Sequence, residues 1–121
     1  MLNNSLVYEK AFQFAIRIVK AYKYLQETHR EFVMSKQLLR CGTSIGANIA
    51  EANGAISDAD FSSKMSIAYK ESLETKYWLS LMKATDYLTE KSFESMFTDA
   101  DEISKMLFSI IKKSRIEKSD N

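Results

Sequence analysis

Apolar residues recur at helical spacing in four segments of the chain, and no alternating apolar run bounded by turn residues predicts a strand. The first segment covers residues 5–26, and its main apolar stripe contains Val7, Ala11, Ala15, Ile18, Tyr22 and Leu25. A second stripe lies beside it and contains Phe12, Ile16 and Val19. This helix is therefore apolar over a wider face than one seam of a bundle requires.

The second helix is predicted to begin in the segment ETHRE, where Thr28 and Glu31 have the spacing of a capping box. In that motif the two side chains each accept a hydrogen bond from an exposed backbone amide. The core stripe that follows lies within about 60° of arc at ~100° per residue. It contains Phe32, Leu38, Cys41, Ile45, Ile49, Ala52 and Ile56.

The third helix is predicted to begin at Ser57, because Asp60 follows three residues on, where acidic residues complement the helix dipole. Its main stripe has the heptad spacing of helices that pack nearly parallel or antiparallel. That stripe contains Phe61, Met65, Ala68, Ser72, Thr75, Leu79 and Met82. A second series along its flank contains Ile67, Glu71, Glu74, Trp78 and Leu81.

A turn is predicted at residues 87–91, with Thr89 as the cap of a fourth helix. One face of that helix contains Phe93, Met96, Phe97, Ala100, Ile103, Leu107, Ile110 and Ile111. Four helices of roughly 20 to 28 residues with short connections predict an all-α fold, an antiparallel up-down four-helix bundle. We assign residues 1–118 to this single domain and residues 119–121 to a polar C-terminal tail.

All three glycines of the chain lie within residues 41–54, which raises the possibility of a ligand-binding loop. Gly42, Gly46, Ala50 and Gly54 recur every four residues, however, and this spacing places them along one flank of the second helix. A phosphate-binding loop would need a following Lys and Ser or Thr, and a preceding strand. We therefore expect close helix approach at Gly42 and Gly46, and a left-handed helix end at Gly54.

The net charge of +1 conceals an uneven distribution. Residues 1–40 carry seven Lys/Arg against three Asp/Glu, residues 41–104 carry five against eleven, and residues 105–121 carry five against two. If the first and last helices lie side by side, their charges would add into one basic face. The candidate phosphate contacts are Arg17, Lys20, Lys23, Lys112, Lys113 and Arg115. The alternative is that these residues only solvate the helix surfaces.

A polar row borders the core stripe of the second helix and contains Gln37, Ser44, Asn48 and Glu51. With Glu71 and Glu74 of the third helix it could form a partly buried hydrogen-bond network, in which Arg40 or a lysine would balance the carboxylates. One interpretation is that these residues set the packing register. The other is that they form a ligand site.

Metal and nucleophilic chemistry have little support in the sequence. His29 is the only histidine and Cys41 the only cysteine, so neither a di-metal carboxylate site nor a zinc site has enough ligands. Cys41 lies on an apolar stripe, where cysteine behaves as a small hydrophobe. We expect no catalytic site, metal or cofactor, and therefore a protein that is not an enzyme.

The N-terminus lacks the order of a secretory signal, and the apolar runs are too short to cross a membrane. We therefore expect a cytoplasmic protein with no membrane partner.

Residues 35–82, SKQLLRCGTSIGANIAEANGAISDADFSSKMSIAYKESLETKYWLSLM, resemble the bacterial four-helix-bundle family first noticed as reading frames in intervening sequences of large-subunit ribosomal RNA genes. The most specific piece is SIGANIAEA, and the likeness runs from YEKAF to LFSIIKKS. Family members often carry Pro in place of Gly46 and Gly in place of Ala52, so this chain is a variant of the motif.

The resemblance implies a cytoplasmic, non-enzymatic bundle that assembles as a homopentameric ring. A related branch, the accessory protein of diversity-generating retroelements, resembles a basic barrel that binds nucleic acid. The apolar residues beyond one small core are candidates for the contact between copies, and they are Phe12, Ile16, Val19, Ile67, Trp78 and Leu81.

The first hypothesis is a homo-oligomeric helical scaffold that binds RNA, or DNA, or a ribonucleoprotein partner through its basic first and last helices. The second is a protein–protein adaptor that binds no nucleic acid, in which an apolar flank docks another chain. A third, an enzyme using Glu51, Glu71 and Glu74, would require a bound metal or a carboxylate with a raised pKa.

Overall fold

A computed structural model of the chain confirms the all-α four-helix bundle. The structure describes residues 2–119, and side chains within residues 6–115. The helices are α1 (Leu2–His29), α2 (Met34–Asn53), α3 (Asp58–Ala84) and α4 (Glu90–Ser119). The predicted domain boundary at residue 118 falls within the last turn of α4, and residues 120–121 of the predicted tail lie outside the described residues.

Each helix packs against two neighbours and runs antiparallel to both, so α1 closes the bundle against α4. The direction follows from contacts in which an early residue of one helix meets a late residue of the next. These contacts are Ala11 with Gly46, Ile18 with Gly42, Arg40 with Glu71, Glu51 with Lys64, Lys76 with Asp101, Lys83 with Glu90, Lys10 with Glu102 and Arg17 with Asp99. Over residues 2–119, none of the four helices has the long apolar stretch that a bilayer span needs.

The core is built largely from the stripes that the spacing predicts. On α3 the buried residues are six of the seven predicted ones, Met65, Ala68, Ser72, Thr75, Leu79 and Met82, while Phe61 is half-buried. On α2 the stripe is buried from Leu38 to Ala52. Phe32 and Ile56, predicted as its two ends, are exposed because α2 begins after the first and ends before the second.

Phe14 is a core residue that the predicted stripe on α1 omitted, and it is 1% exposed. It lies three residues after Ala11 and four before Ile18, both fully buried. Ala15 and Tyr22, which were predicted for this stripe, are half-buried. The buried face of α1 therefore extends toward α4, where Phe14 and Ile103 line the same cavity.

The predicted capping box at Thr28 and Glu31 is wrong, because α1 continues through both Thr28 and His29. The chain reverses at Arg30, whose φ is 51°, and Glu31 then caps α2 by itself. Its carboxylate accepts hydrogen bonds from the amides of Val33, Met34 and Ser35 at 3.1, 2.9 and 2.7 Å.

The other two predicted caps are confirmed. The Ser57 hydroxyl accepts from the Asp60 amide at 3.0 Å, and the Thr89 hydroxyl accepts from the Ser92 amide at 3.1 Å. The left-handed end predicted at Gly54 is wrong, since its φ is −103°. Left-handed geometry occurs at Asp86 instead, with φ 69° in the turn between α3 and α4.

Close helix approach is confirmed at Gly42 but is not tight at Gly46. A Cβ added at Gly42 would lie 2.8–2.9 Å from three side-chain carbons of Ile18 on α1. At Gly46 the nearest atoms, on Ala11, would be 3.7 Å away, which is ordinary van der Waals contact. Gly42 is therefore the residue that allows α1 and α2 to pack closely.

Candidate nucleic-acid interface

Arg17 is already occupied by contacts that join α1 to α4. Its guanidinium pairs with the Asp99 carboxylate at 2.5 Å and donates to the Ser95 hydroxyl at 2.8 Å. About two turns earlier on α1, Lys10 pairs with Glu102 at 2.7 Å. The middle of the α1–α4 surface is therefore internally neutralised, and Arg17 acts there as a cross-helix tie.

Lys20 and Lys23 lie on the last third of α1, and both side chains are exposed. Within residues 6–115 no carboxylate lies within ion-pair distance of either ammonium group. Their charges therefore face solvent without a partner, unlike that of Arg17.

Lys112, Lys113 and Arg115 are exposed on the last described turns of α4. Lys113 and Arg115 also interact with other residues. Cations at the C-terminal end of a helix complement its dipole, so this group also has a local structural role.

The two basic groups lie at opposite ends of the bundle, because α1 and α4 are antiparallel. Lys20 lines a cavity together with Met96 near the start of α4. Lys112 is sixteen residues beyond Met96, which corresponds to about 24 Å along the helix. The single basic face expected from side-by-side helices therefore does not form within one chain, and two separate clusters form instead.

The predicted network between α2 and α3 exists around Arg40. Its guanidinium pairs with Glu74 and, at 3.3 Å, with Glu71, while the Trp78 indole donates to Glu74 at 3.0 Å. The hydrogen bond from Trp78, together with Arg40, lowers the pKa of Glu74 below its usual value. A carboxylate held in its ionised form in this way ties the two helices together and is a poor proton donor at neutral pH.

The rest of the predicted polar row is hydrogen-bonded elsewhere. The Asn48 amide donates to the carbonyl and the hydroxyl of Ser44 at 2.9 and 3.0 Å, so these two pair within α2. Glu51 pairs with Lys64 of α3 at 3.1 Å. The row therefore forms separate contacts, within α2 at Asn48 and across to α3 at Glu51, and not one continuous network.

The apolar candidates form two flanks, one on each side of α2. Phe12, Ile16 and Val19 are 48%, 38% and 37% exposed, on the side of α1 away from its ion pairs with α4. We call these three residues the α1 flank. On α3, the α3 flank comprises Ile67, which is 40% exposed, and the half-buried Trp78 and Leu81.

Cys41 and His29 have ordinary environments for their types. Burial raises the pKa of the Cys41 thiol to about 11, so the sulfur stays protonated at neutral pH. His29 is exposed and its ring contacts those of Tyr24 and Tyr87. Among residues 6–115, no group of three or more His, Cys, Asp or Glu side chains is arranged to hold a metal ion.

Sequence reasoning missed the cavity beside Lys20, to which Tyr24, His29 and Tyr87 contribute. These aromatic residues come from two segments 58 positions apart at their nearest, from His29 to Tyr87, so their meeting depends on the fold. The available signal was the placement of all three rings near predicted helix breaks.

Comparison with known proteins agrees with this architecture. The family model for the 23S rRNA-intervening sequence protein matches residues 3–109. A crystal structure of a protein of unknown function from the S23 ribosomal protein family, from Bacteroides thetaiotaomicron VPI-5482, is 54% identical in sequence and superposes with a TM-score of 0.90. The match covers 91% of this chain and 98% of that one. A search of curated proteins found no match.

The family model covers nearly the whole bundle, from the first turn of α1 to the last third of α4. The solved relative shares the fold over 91% of this chain. The chain therefore belongs to the 23S rRNA-intervening sequence protein family.

Proposed function

We propose that the protein is a non-enzymatic, cytoplasmic, homo-oligomeric scaffold that binds RNA or a ribonucleoprotein partner through its two basic clusters. The observation that carries this proposal is the contrast in pairing between the middle of α1 and its last third. In the middle, Lys10 pairs with Glu102 and Arg17 with Asp99. In the last third, Lys20 and Lys23 are exposed, and neither has a carboxylate within ion-pair distance among residues 6–115. Unpaired surface cations attract a polyanion, since each phosphate contact releases a condensed counterion.

The net charge of one chain is only +1, so the binding must be local to the clusters. A ring of copies would repeat each cluster once per copy and multiply weak contacts along one RNA. The logarithm of the affinity is expected to fall linearly with the logarithm of the salt concentration, with a slope proportional to the number of phosphates contacted.

The two apolar flanks support assembly into a ring. The α1 flank and the α3 flank are different surfaces, so a contact between one flank and the other flank of the next copy is head-to-tail. Such contacts close into a ring when the rotation between copies permits. Five copies is the number that the family resemblance implies, and we adopt it for the proposal.

The test removes the α4 cluster with the triple variant Lys112→Gln/Lys113→Gln/Arg115→Gln. The matched control removes the same charge from exposed lysines elsewhere, Lys36→Gln/Lys70→Gln/Lys91→Gln. Fluorescence anisotropy of a labelled structured RNA at several salt concentrations measures both variants. We expect the first to bind more weakly with a shallower salt dependence, and the control to bind much more like the wild type.

The adaptor hypothesis remains the second candidate, because exposed apolar flanks also suit a protein partner. It predicts that both triple variants bind the structured RNA as poorly as the wild type does. That result would remove nucleic-acid binding from the proposal.

A further inference from the structure

A cavity of about 730 Å³ lies between the C-terminal third of α1 and the turn that leads into α4. Lys20, Tyr24, His29, Tyr87, Thr89 and Ser92 line it. Its volume is within the range of roughly 300–1,000 Å³ that small-ligand sites occupy. Because most of these side chains are exposed, a ligand can reach the cavity directly from solvent.

Aromatic rings form one wall of the cavity. The His29 ring lies edge-to-face with Tyr24 at 5.3 Å and with Tyr87 at 5.8 Å, with interplanar angles of 73° and 83°. In an edge-to-face pair the edge of one ring rests on the face of the other, so His29 leaves at least one face of each tyrosine ring uncovered. Tyr24 is 53% exposed, so its ring is available for a planar group to stack on.

Polar and cationic groups lie beside this wall. The unpaired ammonium of Lys20 and the hydroxyls of Thr89 and Ser92 suit a phosphate, next to the N-terminal end of α4, where the helix dipole also favours negative charge. The Arg17 charge at the cavity edge is offset by Asp99. Asp86 also lines the cavity. Its carboxylate can accept a hydrogen bond from an amino group of a base, but it has no donor for a phosphate.

We infer that this cavity binds one unstacked nucleotide of a single-stranded RNA, with the base on Tyr24 and a phosphate at Lys20. A ring face beside a cation and hydroxyl donors matches the two parts of a nucleotide. Bases in a duplex are stacked and cannot enter such a site. The inference rests on the proposed function, since it specifies which RNA the basic cluster at Lys20 and Lys23 would select.

The experiment compares a labelled single-stranded RNA of about ten nucleotides with the same sequence in a duplex. Tyr24→Leu removes the ring but keeps an apolar residue, and Phe108→Leu is its control because Phe108 is also 53% exposed and lies on α4 outside the cavity. We expect the wild type to prefer the single strand. Tyr24→Leu should weaken single-strand binding about tenfold without changing duplex binding, and Phe108→Leu should change neither.

Two further measurements test the role of Lys20 and distinguish a nucleotide within a strand from a free nucleotide. Lys20→Gln should lower the single-strand salt slope by about one. Adenosine monophosphate should displace the strand only at far higher concentration than unlabelled strand does. Displacement at equal concentration would overturn the assignment to a strand and identify a free nucleotide as the ligand.

Equal loss of single-strand and duplex binding in Tyr24→Leu, or no loss of either, overturns the inference. The proposed function is judged separately, by the α4 cluster variant on structured RNA. If Tyr24→Leu gives either of these results while the α4 cluster variant still weakens binding of structured RNA, the inference about the cavity is wrong and the scaffold proposal stands.

Discussion

At the scale of single residues, the packing of α1 on α2 depends on Gly42. We predict that Gly42→Ala destabilises the fold by about 1–3 kcal/mol, the range typical of overpacked sites. The added carbon would press on both γ carbons of Ile18. Those two atoms move only with χ1, which is restricted in a β-branched helical residue, so the side chain cannot swing away.

Gly46→Ala is the matched control, because its added carbon meets Ala11 only at 3.7 Å. Alanine favours the helix by up to about 1 kcal/mol over glycine, so this variant should be neutral or more stable. Chemical denaturation of both variants measures the difference. Equal destabilisation of the two would contradict the close approach assigned to Gly42.

The cap at Glu31 predicts a pH dependence. Burial of Glu31 opposes its ionisation, but three backbone amides stabilise the charged form, and the net effect lowers its pKa. A carboxyl whose folded pKa is lowered contributes stability above the unfolded pKa of about 4.3. That contribution is lost as the pH falls through the folded value.

Glu31→Gln should therefore destabilise the protein by about 1 kcal/mol at pH 7, a typical loss for a helix cap. The gap between variant and wild type should narrow as the pH falls from the unfolded pKa of about 4.3 toward the lowered folded pKa, below which the wild-type carboxyl is neutral. Urea unfolding of both proteins between pH 7 and pH 3.5 measures this difference in the free energy of unfolding. A gap that stays constant with pH would show that the Glu31 charge does not stabilise α2.

Turn geometry marks where sequence reasoning at this scale ends. The caps Ser57 and Thr89 were identified from the local sequence, because each hydroxyl and the amide from which it accepts lie three residues apart. The α1–α2 turn needed the backbone itself, since Arg30 adopts positive φ and lets Glu31 reach three amides ahead of it. An arginine in that conformation has no sequence signature of the kind that glycine or asparagine provides.

At the scale of helices, Arg40 joins α2 to α3 through Glu71 and Glu74. We predict that Arg40→Gln lowers stability by up to about 1 kcal/mol, because the arginine is half exposed and solvent screens the pairs. Salt should reduce the difference. Binding of structured RNA should not change, since the pairs belong to the helix seam. Weaker RNA binding at unchanged stability would instead place this cluster in a binding surface.

Helix positions were largely predictable because a 3.6-residue period is a property of the sequence alone. The heptad series on α3 identified six buried residues, including the polar Ser72 and Thr75. Ser104 was missed, although it is buried and donates to the Ser72 hydroxyl at 2.7 Å. Ser104 lies seven residues after Phe97 and seven before Ile111, both on the predicted apolar face of α4, so the heptad period also indicated its burial.

At the scale of the whole molecule, Ile67 tests the proposed assembly. Light scattering of the wild type should give a mass near five times 13.9 kDa. Ile67→Lys should lower that mass, since a charge in an apolar contact is costly. Leu73→Lys is the control, because Leu73 is 41% exposed against 40% for Ile67 and lies outside both flanks. A monomeric wild type would contradict the ring.

The candidate interface was only partly predictable at this scale. Charge counts identified two basic groups along the chain, near Lys20 and near Lys112. Whether the two groups form one face depends on the direction of the helices and on which cations pair with carboxylates. Arg17, for example, pairs with Asp99. Both are properties of the folded chain.

The most direct measurement of the central claim is the affinity of the wild-type protein for a labelled structured RNA between about 50 and 200 mM salt. With three or more phosphate contacts, the affinity should fall at least about tenfold over that range. Absence of binding at 50 mM salt, or binding that does not change with salt, would contradict nucleic-acid recognition by the basic clusters and would favour the protein–protein adaptor.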